Sequence, residues 1–233
     1  METALITGAT EGIGRAIAFA LGRAGYRVGV CARNEANVAA TVAELQGEGL
    51  TAAGATADVA DEQQVHAAVE RLVSQLGPFD TVVNNAGVAI LKPFDQLSVA
   101  DWDRTINTNL RGMMLVTREV LPGMRERKAG DIVNIASLAG RNGFIGGTAY
   151  TASKHAVLGF SKSLMLEVRK DNVRVIAVCP GSVDTAMMRN QDMIARDASR
   201  ILLPEDIADT VLATLRLPAR AMVSELDIRP SNP

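Results

Sequence analysis

The chain has 233 residues, with 24 Lys and Arg against 26 Asp and Glu, so its net charge of -2 leaves neither a basic footprint for nucleic acid nor a charge block for a membrane surface. At 48% hydrophobic and 21% charged it has the makeup of a globular protein, long enough for one large core, and a single domain over 1–233 is expected. No apolar run approaches the ~20 residues of a spanning helix, and Met1 leads into a strand-like run without a leader pattern, so a cytoplasmic protein is expected.

Short β-type runs alternate with longer helical patterns along the whole chain. The strands are expected at Ala4 to Thr7, Arg27 to Ala32, Thr51 to Ala57, Asp80 to Asn84, Asp131 to Ser137, Val173 to Cys179 and Val223 to Ile228. Helical periodicity covers Ile13 to Ala24, Glu35 to Gly47, Asp61 to Leu76, Ala100 to Arg127, Ala149 to Arg169 and Glu205 to Leu215. Gly25 closes the first helix, Ser98 with Asp101 resembles a capping box, and Pro204 suits a first helical position. This alternation predicts an α/β fold: one doubly wound, parallel, seven-stranded Rossmann-like sheet with helices on both faces.

Two stretches carry chemistry. The first strand-to-helix turn, Thr7-Gly8-Ala9-Thr10-Glu11-Gly12-Ile13-Gly14, places three glycines where a backbone must turn tightly and where a pyrophosphate meets helical N–H groups. The second runs from Ser137 to Lys154. Tyr150 and Lys154 stand one helical turn apart, on one face, where an ammonium would favour the phenolate and draw the phenol toward neutrality. Ser137 ends the preceding strand pattern, so its hydroxyl is expected beside the Tyr, the two converging on a carbonyl or alcohol oxygen. A Tyr and a Lys four apart on a helix are common and mean little alone.

Cys31 and Cys179 lie far apart in apolar segments, and with only His66 and His155 available no metal-ligand spacing arises; buried reduced thiols and no metal are expected. Asn84 and Asn85 follow a strand and suit turn backbone, while Asp58 reads either as a helix N-cap or as a ligand group. Ser153 lies beside Lys154 on another helical face and is assigned no chemistry.

The turn T-G-x-x-x-G-x-G, Asn84-Asn85-Ala86-Gly87, Asn109, Ser137, Tyr150-x-x-x-Lys154 and Pro180-Gly181-Ser-Val183-Asp-Thr185 stand in order along the chain. In this set the sequence resembles the short-chain dehydrogenase/reductase family over nearly its whole length. The resemblance implies an oxidoreductase moving hydride between a nicotinamide cofactor and a ketone, aldehyde or secondary alcohol. It makes Tyr150 the general acid or base and gives Ser137 a hydrogen bond to the substrate oxygen. Lys154 would bind the nicotinamide ribose and lower the Tyr150 pKa, and Asn109 would hold a relay water. It also implies cofactor contacts at Gly8, Thr10, Gly12, Ile13, Gly14, Asp58, Val59, Asn85, Ala86, Gly87, Pro180, Gly181, Val183 and Thr185, together with Tyr150 and Lys154.

The second strand ends without Asp or Glu at positions 31 to 34, and Arg33 stands there, a guanidinium suited to a 2′-phosphate. NADP(H) is therefore expected over NAD(H), although Glu11 and Glu35 nearby argue the other way. The substrate pocket is expected from Leu138, Phe144, Ile145, Met187 and Met188, apolar and adaptable. That lining favours a carbonyl reductase for small hydrophobic compounds. The alternatives are a 3-oxoacyl acyl-carrier-protein reductase, with Arg127, Lys128, Arg169 and Lys170 as a basic docking surface, an NAD-preferring alcohol dehydrogenase, and a non-catalytic cofactor-binding regulator. By resemblance, the helices from Ala100 and Ala149 and the final strand would form subunit interfaces, and a homotetramer is expected, with a homodimer next.

Overall fold

A computed structural model describes residues 1–189 and 201–231. Seven parallel strands form one sheet in the order β3-β2-β1-β4-β5-β6-β7. They are β1 (Thr3–Thr7), β2 (Arg27–Ala32), β3 (Ala52–Thr56), β4 (Thr81–Asn84), β5 (Gly130–Ile135), β6 (Val173–Pro180) and β7 (Glu225–Ile228). The helices are α1 (Gly12–Arg23), α2 (Glu35–Gly47), α3 (Glu62–Leu76), α4 (Val99–Ile106), α5 (Gly112–Arg127), α6 (Thr148–Val168), the one-turn α7 (Ala186–Arg189) and α8 (Pro204–Leu215).

Side chains alternate across each strand, and the core divides accordingly. Ile6, Val28, Val83, Val133 and Ile176 face α1, α2 and α8. Leu5, Cys31, Val82, Ile132 and Val175 face α3, α5 and α6. Both faces are covered, and the strand order reverses between β1 and β4. A crevice outside the carboxyl ends of the strands forms at such a reversal.

Boundary signals hold at several points. Gly25 takes φ +94 just past α1, and Tyr26 N–H closes the helix end onto the Leu21 carbonyl at 3.0 Å. Ser98 and Asp101 form the capping box of α4, and Pro204 opens α8. Others differ. Asp61, not Asp58, caps α3, its carboxylate accepting from the Gln63 and Gln64 amides at 3.0 Å. The helical run from Ala100 to Arg127 is interrupted by a π-turn, Asn107–Arg111, that widens the ladder between α4 and α5. β5 stops at Ile135, so Ser137 lies past the strand and caps a 3-10 turn, Leu138–Gly140, through its side chain.

Asn84 does not serve turn backbone. It lies in the core, donating to Thr117 Oγ1 at 3.0 Å and to Asn134 Oδ1 at 2.9 Å, while Asn134 donates to Ser161 Oγ at 2.9 Å. Ser161 in turn donates to the Val157 carbonyl at 2.7 Å. This string of one-way donors sews β4 to β5, α5 and α6 beneath the site. Asn134→Ala removes the middle link and leaves the Asn84 donor and the Ser161 acceptor buried without a partner. We expect it to lower unfolding free energy by about 2–4 kcal/mol in urea melts. A loss under about 1 kcal/mol would show that the string is not a structural tie.

Candidate active site

The glycine turn and the loop after β4 meet at the strand-order reversal. Asn85 Nδ2 donates to the Thr7 carbonyl at 3.0 Å and the Gly8 carbonyl at 3.1 Å. Thr7 Oγ1 accepts from the Asn85 and Ala86 amides, both at 3.1 Å. Gly8 sits at φ +64, a conformation that L side chains rarely adopt. A Cβ at Gly14 would lie 2.3 Å from Asn85 Nδ2 and 2.4 Å from the Gly8 carbonyl oxygen, so only glycine allows α1 to start so close to the turn. Across the opening, Thr185 packs its methyl toward Gly12. The α1 N-terminus has no side-chain cap, because Glu11 at that position does not fold back onto it, and its N–H groups face the opening.

The rest of the predicted cofactor set lines the same edge. Thr10 and Ile13 border the turn half-buried, and Arg33 is exposed just beyond β2. Asp58 turns its carboxylate onto the Ala60 amide at 3.0 Å. Val59 is buried against Gly112, so its side chain belongs to the core. Pro180 ends β6, and the Gly181 amide donates to the Ile228 carbonyl at 2.8 Å. Val183 pairs with Leu202 in an isolated parallel bridge.

Ser137, Tyr150 and Lys154 come together beyond β5. The Ser137 hydroxyl accepts from the Ala139 amide at 3.0 Å and lies near enough to the Tyr150 phenol to favour its ionised form. Lys154 is 5% exposed, its Nζ donating to the Ile135 carbonyl at 2.8 Å and standing 5.7 Å from the centre of the Tyr150 ring. The expectation that Lys154 draws the phenol toward neutrality is not met in this state. Burial raises the Tyr150 pKa above its ordinary value, and the opposing pull comes from Ser137.

Asn109 sits in the π-turn, buried. Its Oδ1 accepts from the Val88 amide at 2.7 Å, and its Nδ2 donates to the Val88 carbonyl at 2.9 Å and to Ser153 Oγ at 3.0 Å. Ser153, given no role from sequence, is fully buried and belongs to this group. The available signal was a hydroxyl three residues after Tyr150, within reach of that residue's carbonyl.

Of the pocket residues, Leu138 packs near Gly181, and the Phe144 ring meets Tyr150 edge-on with centroids 6.5 Å apart. Ile145 is 97% exposed and Met187 is also exposed, while Met188 is half-buried; these three form an open rim at most. The stretch Ala186 to Leu203, expected over the substrate, is described only as α7 and from Ile201 onward; the remainder lies outside the described residues. The four residues expected as a basic docking surface lie at the ends of α5 and α6, away from the reactive group of this chain. Arg127 donates to the Phe79 carbonyl at 2.7 Å, and Lys128 is 3.9 Å from Asp171. Arg169 and Lys170 follow the far end of α6, about 30 Å along the helix from Tyr150.

Both thiols are buried and free, with Cys31 pushed up to about 12 and Cys179 to about 11 by burial, so neither is a nucleophile. Among the described residues no group of His, Cys, Asp or Glu is arranged to hold a metal ion, and no helix is long and apolar enough to cross a membrane.

A parallel doubly wound sheet, a glycine turn at its strand-order reversal and a Ser-Tyr-Lys group on the same edge define a Rossmann-like oxidoreductase. The family model for short chain dehydrogenase matches residues 2–194, and the chain belongs to the short-chain dehydrogenase/reductase family. It is 46% identical over 188 residues to a putative ketoacyl reductase of Streptomyces coelicolor, covering 80% of this chain and 72% of that one. It is 34% identical over 218 residues to a 3-oxoacyl acyl-carrier-protein reductase of Staphylococcus aureus, covering 90% and 89%. Among solved structures, an actinorhodin polyketide ketoreductase variant with NADPH superposes with a TM-score of 0.92 at 37% identity, over 98% of this chain and 96% of that one. Levodione reductase superposes with a TM-score of 0.91 at 28% identity, over 98% and 96%.

The buried ammonium has a measurable consequence. Burial lowers the Lys154 pKa from 10.5 to about 8. Below about 8 both folded and unfolded chains hold the proton; between that value and 10.5 only the unfolded chain does, so stability from this group rises with pH in that window. Across the whole window the rise approaches roughly 3 kcal/mol. The stability of the wild type relative to Lys154→Met, from urea melts, is expected to grow between about pH 7.5 and pH 10. A difference that stays flat means that the ammonium is not desolvated.

Proposed function

We propose that the protein is an NADPH-dependent ketone reductase whose substrate is a 3-oxoacyl compound of the polyketide or fatty-acyl type. The observation that carries this reading is the meeting of Ser137, Tyr150 and the buried Lys154 beyond the carboxyl end of β5, on the same sheet edge as the glycine turn. Two hydroxyls converging there can stabilise an oxygen that becomes negative as hydride arrives, and one of them can give it a proton.

The residues at the sheet edge fit the cofactor, since α1 begins there with no side chain capping its N–H groups. The uncapped N-terminus of α1, with Gly8, Thr10, Gly12, Ile13 and Gly14, would hold the pyrophosphate. Arg33 would take the 2′-phosphate. Asp58 and the Val59 backbone would border the adenine, and Asn85, Ala86 and Gly87 would line the ribose side. Pro180, Gly181, Val183 and Thr185 would border the nicotinamide. The bound nicotinamide supplies the hydride.

Ser137 and Tyr150 then stabilise the developing alkoxide, and Tyr150 protonates it. Lys154, which here donates to the Ile135 carbonyl, would hold the cofactor's ribose, and it sits one turn from the phenol that must be reprotonated. The Asn109 side chain has no donor left over, so its part in a proton relay falls to its backbone and the water that it would hold.

The relatives named as ketoacyl reductases favour the 3-oxoacyl substrate over the free carbonyl compound that the apolar lining suggests. The open rim of Ile145 and Met187 supports the free hydrophobic ketone as a second reading, shared with levodione reductase. NADPH oxidation with a 3-oxoacyl thioester and with a free diketone separates them by the ratio of kcat/KM. Tyr150→Phe is expected to lose most turnover on either substrate with NADPH binding little changed, and near wild-type turnover in that variant would falsify the mechanism.

Arg33→Ala tests the cofactor. Losing a charge-assisted contact should raise the NADPH Kd about ten- to hundredfold and spare NADH. Equal losses for both cofactors would remove Arg33 from the 2′-phosphate site. For assembly we retain a homotetramer, with Leu166 of α6 56% exposed and edge strand β7 open on one side.

A further inference from the structure

Three segments that the proposed chemistry needs at fixed distances come from different parts of the chain: the loop after β4, the π-turn carrying Asn109, and the first turns of α6 carrying Tyr150 and Lys154. The hydrogen bonds among them run in only one sense. The Val88 amide can only donate, so the Asn109 atom facing it is Oδ1, and Nδ2 is left to donate to the Val88 carbonyl and to Ser153. The single Ser153 hydroxyl proton goes to the Tyr150 carbonyl at 2.7 Å, so its oxygen is left to accept from Asn109. Every polar group of the Asn109 amide is thereby engaged, at a place where Ser153 is 0% and Asn109 3% exposed.

We propose that Ser153 is a positioning residue of the reductase, a clasp whose hydroxyl fixes the Asn109 amide, and through it Val88, against the turn of α6 that carries Tyr150. The inference rests on the function proposed above. Its physical basis is that, among the described residues, the bond to Ser153 is the one hydrogen bond by which the Asn109 side chain reaches α6. Without the hydroxyl, one Nδ2 proton of Asn109 is left buried and unpaired, and the cheapest relief is for the amide to turn and release Val88. The loop after β4 then loses its fixed distance from Tyr150. This distance matters to the rate of the chemical step more than to the binding of either substrate.

The test combines exchange and kinetics. In Ser153→Ala, deuterium uptake at the Val88 amide should quicken by about tenfold or more while amides of β5 keep their protection. With NADPH and ketone, kcat should fall about tenfold, with the NADPH Kd and ketone KM within about twofold of wild type. In an Asn109→Ala background the same Ser153→Ala change should leave kcat within about twofold, because the clasp has nothing left to hold. Ser153→Cys, which keeps a weak donor and acceptor at nearly the same size, should fall between and guards against a folding artefact.

Unaltered Val88 exchange in Ser153→Ala, or an undiminished tenfold loss in the Asn109→Ala background, overturns the clasp. The exchange arm needs no turnover, so it decides Ser153 even if Tyr150→Phe proves active and the proposed function fails. Conversely, an inactive Tyr150→Phe with additive Ser153 and Asn109 effects removes the clasp alone.

Discussion

The site depends on one tie, the Asn85 side chain bonded to the Thr7 and Gly8 carbonyls, with the Thr7 hydroxyl answering the Asn85 and Ala86 amides. β1 and β4 are far apart in sequence, yet these bonds lock the two loops that leave their ends. Once they are locked, the glycine turn cannot drift, α1 starts at a fixed point, and the loop through Gly87 and Val88 reaches Asn109. In a parallel sheet covered on both faces, the loops leaving the carboxyl ends of the strands carry unpaired backbone, so the polar groups that do chemistry gather there and must be held by other polar groups.

Below that edge, the buried string from Thr117 through Asn84 and Asn134 to Ser161 plays a supporting part. It fixes β4 and β5 against α5 and α6, the two helices that carry the π-turn outward and Tyr150 inward. Polar side chains inside a core are costly unless satisfied, and here each donor meets an acceptor, although Asn84 Oδ1 has no protein partner. Stability and site geometry are thus carried by one connected set of amides and hydroxyls.

The electrostatics of the reactive group follow from burial. Lys154 loses some of its hold on a proton and Tyr150 gains some, both because the charged form is the one that water would have solvated. The outcome is a neutral phenol beside a weakened ammonium. The ammonium donates to the Ile135 carbonyl in this state, while Ser137 is the neighbour that favours ionisation of the phenol.

Much of this was legible in the residues themselves. Alternating periodicities yield the parallel sheet because a strand covered on both faces must read as apolar throughout, and the glycines at 8, 12 and 14 mark a turn that side chains would block. The spacing of Tyr150 and Lys154 places them on one helical face for the same local reason. What sequence could not decide were matters of long-range contact. The π-turn interrupts a run that reads as one helix, because nothing in its residue types sets a wider ladder apart from the α-helix on either side. Asn84 went to the core and Asn85 to the turn, although the two are neighbours of one type, because a strand sends adjacent side chains to opposite faces and only the packed helices say which face is wet. Ser153 shows the limit most clearly: its bond to Tyr150 is local, but its meaning comes from Asn109, 44 residues away, which only the tertiary structure brings within 3.0 Å.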